Sequence, residues 1–207
     1  MAASKTYNQK RWSLGDMYPS DKSPEIKADF KKIEDLTADF EKLRPSLKED
    51  ISEKDFLKAI QLLEQIHKVG NKLGSFAGLW FSEDTQNQAS LALMAKTEQL
   101  SADLGNRTLF FGIWWKDLPE AAAARLMKNA GDYRYWLEEM RHFKPHTLTE
   151  AEEKIINTKN VTGINALTTL YDTITNRYIF KIEVNGEKKE LTRGELMALV
   201  RGSDPDL

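Results

Sequence analysis

The chain has no cysteine. That absence excludes disulfides, thiolate nucleophiles and cysteine metal ligands together, and it fits a reducing, cytoplasmic setting. Histidine is almost as scarce: His67, His142 and His146 are the only three. Charge of one sign is lacking as well. Lys+Arg number 30 against 32 Asp+Glu, so the net charge is −2, and no long-range field draws nucleic acid or an anionic membrane. The longest apolar and aromatic run is Leu109-Phe110-Phe111-Gly112-Ile113-Trp114-Trp115, bounded by Arg107 and Lys116. It falls far short of the roughly 20 residues that a membrane span needs, and it reads as core. The start, Met1-Ala2-Ala3-Ser4-Lys5, carries no apolar signal segment. Neither nucleic acid nor membrane is therefore an expected partner. There is also no Gly-x-Gly-x-x-Gly, no Gly-x-x-x-x-Gly-Lys phosphate loop and no Gly-x-Ser-x-Gly elbow.

What is present is a helical pattern. At 207 residues and 41% hydrophobic content the chain has material for a buried core. After an irregular lead-in over 1–22, built around Trp12, Leu14, Met17 and Tyr18, Ser23-Pro24-Glu25 opens a first helix. Ile26, Phe30, Ile33, Phe40 and Leu43 form its inner stripe, and Arg44-Pro45 closes it. Ser52 opens a second helix with the stripe Phe56, Ile60, Leu63, His67, Gly70, Gly74 and Ala77. Gly70, Gly74 and Gly78 sit four apart. Each costs about 1 kcal/mol in a helix interior, so three in register predict the close approach of another backbone. Asp84 or Thr85 is expected to start a third helix reaching Lys116, with Ala89, Ala92, Leu93, Leu100, Leu104 and Phe111 inward.

Leu118-Pro119-Glu120 begins a short alanine-rich helix, stopped at Gly131. The next, about 132–143, turns Tyr133, Trp136, Leu137 and Met140 inward and ends at Lys144-Pro145. Thr149 with Glu152 is a capping box opening a helix that ends before Gly163, and another runs from Ile164 to Asn176. The period then changes to two. Tyr178, Phe180, Ile182 and Val184 alternate with Ile179, Lys181 and Glu183, and Asn185-Gly186 follows. This predicts one hairpin over about 178–191, packed on a helix or joined to a larger sheet. Thr192 with Glu195 caps a last helix to Arg201. The fold class is thus mainly α: a bundle of long antiparallel helices with one late β-hairpin. Its divisions are the lead-in, a helical domain over 23–176, and the hairpin with its short helix over 177–207. The final residues, Gly202-Ser203-Asp204-Pro205-Asp206-Leu207, read as a helix stop followed by a fresh start signal. They create the expectation of a longer protein continuing into a further domain.

No catalytic constellation emerges from the polar residues. His67, on the apolar stripe, reads as a partnered core histidine. His142 and His146 have metal-like i, i+4 spacing, but Pro145 between them should end the helix, so the rings need not share a face. Glu138-Glu139 read as a solvated helix face, Glu150, Glu152 and Glu153 as favourable charge at a helix N-terminus, and Lys188-Lys189 as protection of a strand edge. Catalytic and metal residues are expected to be absent, and substrate-binding residues are not assigned.

Certain stretches are familiar in combination. Trp12-Ser13-Leu14-Gly15-Asp16-Met17-Tyr18 resembles the opening of the oligoendopeptidase F family. So do Leu73-Gly74-Ser75-Phe76-Ala77, Tyr133-Arg134-Tyr135-Trp136-Leu137, and the run from Arg141-His142-Phe143-Lys144-Pro145-His146 through Glu153. Leu191-Thr192 and Ser203-Asp204-Pro205-Asp206 continue the order. The resemblance implies a zinc metallopeptidase related to thimet oligopeptidase, cutting short peptides in a channel between two helical halves. Its zinc would sit on a His-Glu-x-x-His helix, which this chain does not contain. The expected role is therefore an N-terminal helical domain walling the channel, inactive alone, with zinc in the full-length parent. Its partners would be the C-terminal catalytic domain of the same protein and oligopeptide substrates. The alternative is a stand-alone module holding a partner helix or peptide beside Gly70, Gly74 and Gly78. The free hairpin edge, around Ile182, could also take an extended peptide.

Overall fold

Local capping explains where most helices begin in this computed structural model, which describes residues 13–184 and 186–202. Trp12, the Asn185 half of the hairpin turn and the start signal at Ser203–Asp206 lie outside the described residues. Helix α1 (Pro24–Glu41) is capped by the Ser23 hydroxyl, which accepts from the Ile26 amide at 3.4 Å. The lead-in is pinned to the helices by Tyr18, which is almost fully buried and donates to Asp29 Oδ2 at 2.6 Å. Lys72 reaches the same oxygen at 3.1 Å. Helix α2 (Glu53–Glu83) starts on the Ser52 hydroxyl, which accepts from the Asp55 amide at 3.1 Å.

Helix α3 (Gln88–Asp117) starts later than either residue expected to open it. Asp84 instead terminates α2, and its carboxylate accepts from the Gln86 amide at 3.0 Å. The chain must complete that turn first, and the cap falls to Asn87, whose Oδ1 accepts from Ala89 N at 2.9 Å and Ser90 N at 3.1 Å. The inner face shifts accordingly. Ala89 and Ala92 point to solvent, while Ser90 and Thr97 are buried with Leu93, Leu104 and Phe111. Back-bonding of Ser90 to Asn87 O at 2.9 Å and of Thr97 to Met94 O at 2.9 Å satisfies the buried hydroxyls.

Helix α4 (Glu120–Met127) stops short of Gly131, which sits at φ +56 and leads through a 3₁₀ turn into α5 (Arg134–His142). Leu137 is fully buried, as expected, but Trp136 is 38% exposed; its ring stacks on Phe111 with centroids 6.5 Å apart. The capping box of Thr149 and Glu152 opens α6 (Glu150–Asn160). As expected, this helix ends before Gly163, whose backbone is non-helical; a kinked π turn over Val161–Asn165 joins it to a second helix, α7 (Ala166–Thr175).

Helices α1, α2 and α3 pack as an antiparallel set, and α6 lies along α3. Asn106 and Asn157 hydrogen-bond at 3.2 Å, as do Asn106 and Thr158, and Arg177 donates to Gln86 at 2.7 Å. The last helical segment therefore runs antiparallel to α3 over most of its length. Arg107 clamps α3 to α1 by donating to Glu41 at 2.8 Å and Glu34 at 2.8 Å. Strands β1 (Ile179–Val184) and β2 (Glu187–Thr192) pair antiparallel from Ile179↔Thr192 to Val184↔Glu187. Gly186, at φ +80, meets the positive φ that such a tight turn demands. Helix α8 (Arg193–Val200), opened by the Thr192–Glu195 capping box, packs on the hairpin. The sheet has two strands among the described residues.

The core sits where the aromatic run of α3 meets its neighbours. Trp115 has no exposed surface, and its ring stacks on Phe56 of α2 at 5.1 Å. Phe110 meets Phe40 of α1 at 5.2 Å. The Trp115 Nε1–H donates to the Leu137 carbonyl at 2.9 Å, and Arg141 donates back to the Trp115 carbonyl at 2.7 Å. Replacing Trp115 by Phe strands a buried carbonyl and leaves space, so Trp115→Phe should cost about 2–4 kcal/mol in urea unfolding. A loss under about 1 kcal/mol would show that this indole is not a keystone.

Candidate functional site

The surface of this chain offers a trough, a set of paired charges and an uncovered apolar face. The trough lies on the seam of α2 and α3 and encloses about 450 Å³. Its α2 side carries His67, Asn71 and Ser75, one helical turn apart, above Gly70 and Gly74; Leu100, Ser101 and Leu104 face them from α3. This placement corrects two expectations. His67 is not a partnered core residue: it is exposed, and its ring makes no hydrogen bond among the described residues. Between Leu63 and Ala77 the buried stripe of α2 runs through Ile66, Val69, Leu73 and Phe76 rather than His67, Gly70 and Gly74. Burying four large apolar side chains outweighs burying an imidazole and two glycines, at roughly 25 cal/mol per Å² of apolar surface.

The glycines admit no backbone either. A Cβ at Gly70 would meet only side chains, Ile33 Cδ1 at 3.3 Å and Leu104 Cδ1 at 3.8 Å. At Gly74 and Gly78 it would meet nothing within 4 Å. They face the open trough and its continuation, so the expected close approach of another backbone does not occur among the described residues.

The other polar candidates are taken up structurally. His142 closes α5, and its Nδ1 lies 3.5 Å from Glu139 Oε1, whereas His146 belongs to the 3₁₀ turn Lys144–His146. Glu138 pairs with Arg134 at 2.8 Å. Glu150 accepts from Arg44 at 2.6 Å and from Lys154 at 2.6 Å, and these cations hold its carboxyl below the usual glutamate range. Glu152 completes the α6 cap, and Glu153 accepts from the Leu148 amide at 3.1 Å. Lys189 pairs with Glu187 at 3.9 Å on the hairpin. Among the described residues no group of three or more His, Asp or Glu is placed to hold a metal. A zinc centre needs three or four converging ligands, and the described residues do not bring such a set together. No helix among the described residues is long and apolar enough to cross a membrane.

The apolar face is what sequence periodicity missed. No residue of α6, the π turn or α7 is buried. Ile164, Leu167, Leu170, Tyr171 and Ile174 are all exposed, Leu167 by 63%. They recur at three- and four-residue steps on one side of the helix, and Tyr178 and Ile179 extend the surface into β1. Apolar surface of this continuity marks an interaction site. The signal was present in Ala166–Thr175, a helix with a single charge at Asp172.

Residues 114–180, from the aromatic end of α3 into β1, match the N-terminal family model of the M3 peptidases, described as Oligopeptidase F. The match supports an N-terminal region of an oligoendopeptidase F family protein. No curated protein and no solved structure matches the chain. The matched stretch contains the Tyr133–Leu137 and Arg141–Glu153 segments that carried the resemblance, together with the uncovered face of α7. The matched stretch is mainly helical up to β1, and the described residues bring no metal cluster.

His67 remains the one titrating group aimed at the trough. The residue is exposed overall, but partial desolvation of its ring beside the trough wall lowers the imidazole from its ordinary value of 6.5. The folded chain therefore binds fewer protons at this site than the unfolded chain. The contribution to stability is complete above about pH 6.5 and declines as pH falls through the lowered folded-state value. A proton NMR titration should place the His67 midpoint below the ordinary imidazole value of 6.5, and His67→Gln should flatten the fall in urea stability between pH 7.5 and 5.5. A His67 midpoint at or above 6.5 would contradict the crowding seen at the trough.

Proposed function

We propose that this chain is the N-terminal helical domain of an oligopeptide-cleaving zinc metallopeptidase of the cytoplasm, and that it forms part of the wall of the substrate channel. The observation that carries the reading is the family match over residues 114–180. The physical support is the division of labour on the surface. The acidic and histidine side chains are spent on caps, ion pairs and rims, while α7 and β1 present an uncovered apolar face. That face suits a large, permanent partner such as the catalytic half of the same protein, since obligate interfaces resemble a core cut in two. Zinc and its ligands would belong to that half, and no chemical step falls to the residues here. The wall would act by exclusion, keeping folded proteins from the site and admitting short peptides.

A second reading rests on the trough. Its rim of His67, Asn71, Ser75 and Ser101 beside an apolar floor has the character of a peptide-binding groove in a stand-alone module. The two readings separate experimentally. The purified chain should show no turnover of a quenched fluorogenic oligopeptide with or without added zinc. It should also bind zinc at well under one equivalent by isothermal titration. Joined in trans to the catalytic half of an oligoendopeptidase F, it should lose its binding of the apolar dye ANS as the α7 face is covered. Metal-dependent turnover by the chain alone would defeat the first reading; unchanged dye binding with saturable binding of a peptide at the trough would favour the second.

A further inference from the structure

Helix α7 and the turn before it carry their polar side inward and their apolar side out. The half-buried positions include Asn165, Thr169, Asp172 and Thr173, whereas Ile164, Leu167, Leu170, Tyr171 and Ile174 are exposed. No residue of α7 is buried. The outward residues also keep a fixed period. Ile164, Leu167, Tyr171, Ile174 and Tyr178 fall at steps of three, four, three and four, the spacing of the a and d positions of a heptad. A seam of that period fits another α-helix, because knobs recurring every 3.5 residues enter the holes between side chains of a facing helix.

We infer that this seam pairs with the same seam of a second copy of the chain, the two helices running antiparallel about a two-fold axis between Leu170 and Tyr171. A two-fold pair needs a surface that complements itself. Steps of three and four read alike from either end, so Leu167 of one copy faces Ile174 of the other, and Leu170 faces Tyr171. Charge permits the pairing. Between Val161 and Asn176 the only charged residue is Asp172, on the half-buried side, so no like charges meet across the axis. Area permits it too. Leu170 and the five seam residues range from 44% exposed at Ile174 to 63% at Leu167. At roughly 200 Å² per side chain they leave on the order of 650 Å² open, so a pair buries about 1,300 Å², within the range of stable specific interfaces. The self-pair does not depend on the peptidase reading, in which the catalytic half would compete for the same face.

Sedimentation equilibrium of the purified chain over about 1 to 200 μM tests the pair. The apparent mass should rise with concentration from 23.7 kDa towards twice that value, and ANS binding per chain should fall in step. Leu167→Glu sets two carboxylates in the seam and should weaken association at least about tenfold. Phe143→Glu, at a site of similar exposure at the end of α5, should leave it unchanged. Because the chain has no cysteine, single thiols locate the axis. Leu170→Cys should cross-link between copies with a short bismaleimide, and Lys58→Cys, exposed on α2, should not. Far-UV circular dichroism checks that each variant is folded. A monomer mass over the whole range, an association that Leu167→Glu leaves intact, or cross-linking as strong at Lys58→Cys as at Leu170→Cys would overturn the pair. None of these results touches the peptidase reading, which turnover and zinc binding decide.

Discussion

The burial of Trp115 is the constraint that organises the helical body. An indole without exposed surface needs both an apolar enclosure and a partner for its one N–H. The enclosure comes from Phe56 of α2, which stacks on both Trp115 and Phe111 of α3 and so fixes how α2 and α3 lie against each other. The hydrogen-bond partner is the carbonyl of Leu137, which draws α5 back across the end of α3. Once α5 is there, Arg141 can donate to the carbonyls of Trp115 and Leu118, at 2.7 and 2.9 Å, and so caps the helix that supplied the tryptophan. The loop is reciprocal: α3 positions α5 through Trp115, and α5 finishes α3 through Arg141. Removing either partner leaves buried polar groups unpaired, and that penalty exceeds the modest net gain of making the bonds.

Features decided within four residues were readable in the sequence. The caps at Ser23, Ser52, Thr149 and Thr192 depend on a side-chain oxygen and the amide three residues on, and all four form. The hairpin depends on alternation and a glycine at positive φ, and it forms in the expected register. Features decided by competition were not readable. Asp84, Thr85 and Asn87 are all acceptable caps, and the choice among them is made by how the chain leaves α2. On α2, two adjacent arcs share Phe56, Ile60, Leu63 and Ala77. Which arc turns inward depends on what α1 and α3 offer in return. A helical wheel reports that a face exists and is silent on what meets it, which is why His67 and the glycines were drawn into the core on paper and stand at its edge in space. The same silence hid the open face of α7.

The candidate site divides along the same line. Glu138, Glu150 and Glu152 serve local order, because carboxylates near a helix N-terminus or beside Arg44, Lys154 or Arg134 gain charge-assisted hydrogen bonds. The trough at His67 is the exception, since its polar rim is not consumed by the fold.

The contrast between the helical body and the C-terminal helices then narrows what the chain can contribute. The body is closed: its aromatics face inward, its buried hydroxyls are back-bonded, and its surface charges are widely paired. The C-terminal helices are open: α6, α7 and α8 have no buried residue, although each is well capped or continuous with a capped neighbour. A segment with defined helices and strands but no core of its own is incompletely enclosed rather than unfolded, because composition and capping both favour order. A surface complementary to it would be apolar and broad, since α7 carries a single charge, Asp172. The segment matched to oligopeptidase F begins at the Trp114–Trp115 keystone and ends on β1. It therefore spans the joint between the closed half, where the aromatics face inward, and the open one, where the apolar side chains of α7 face outward.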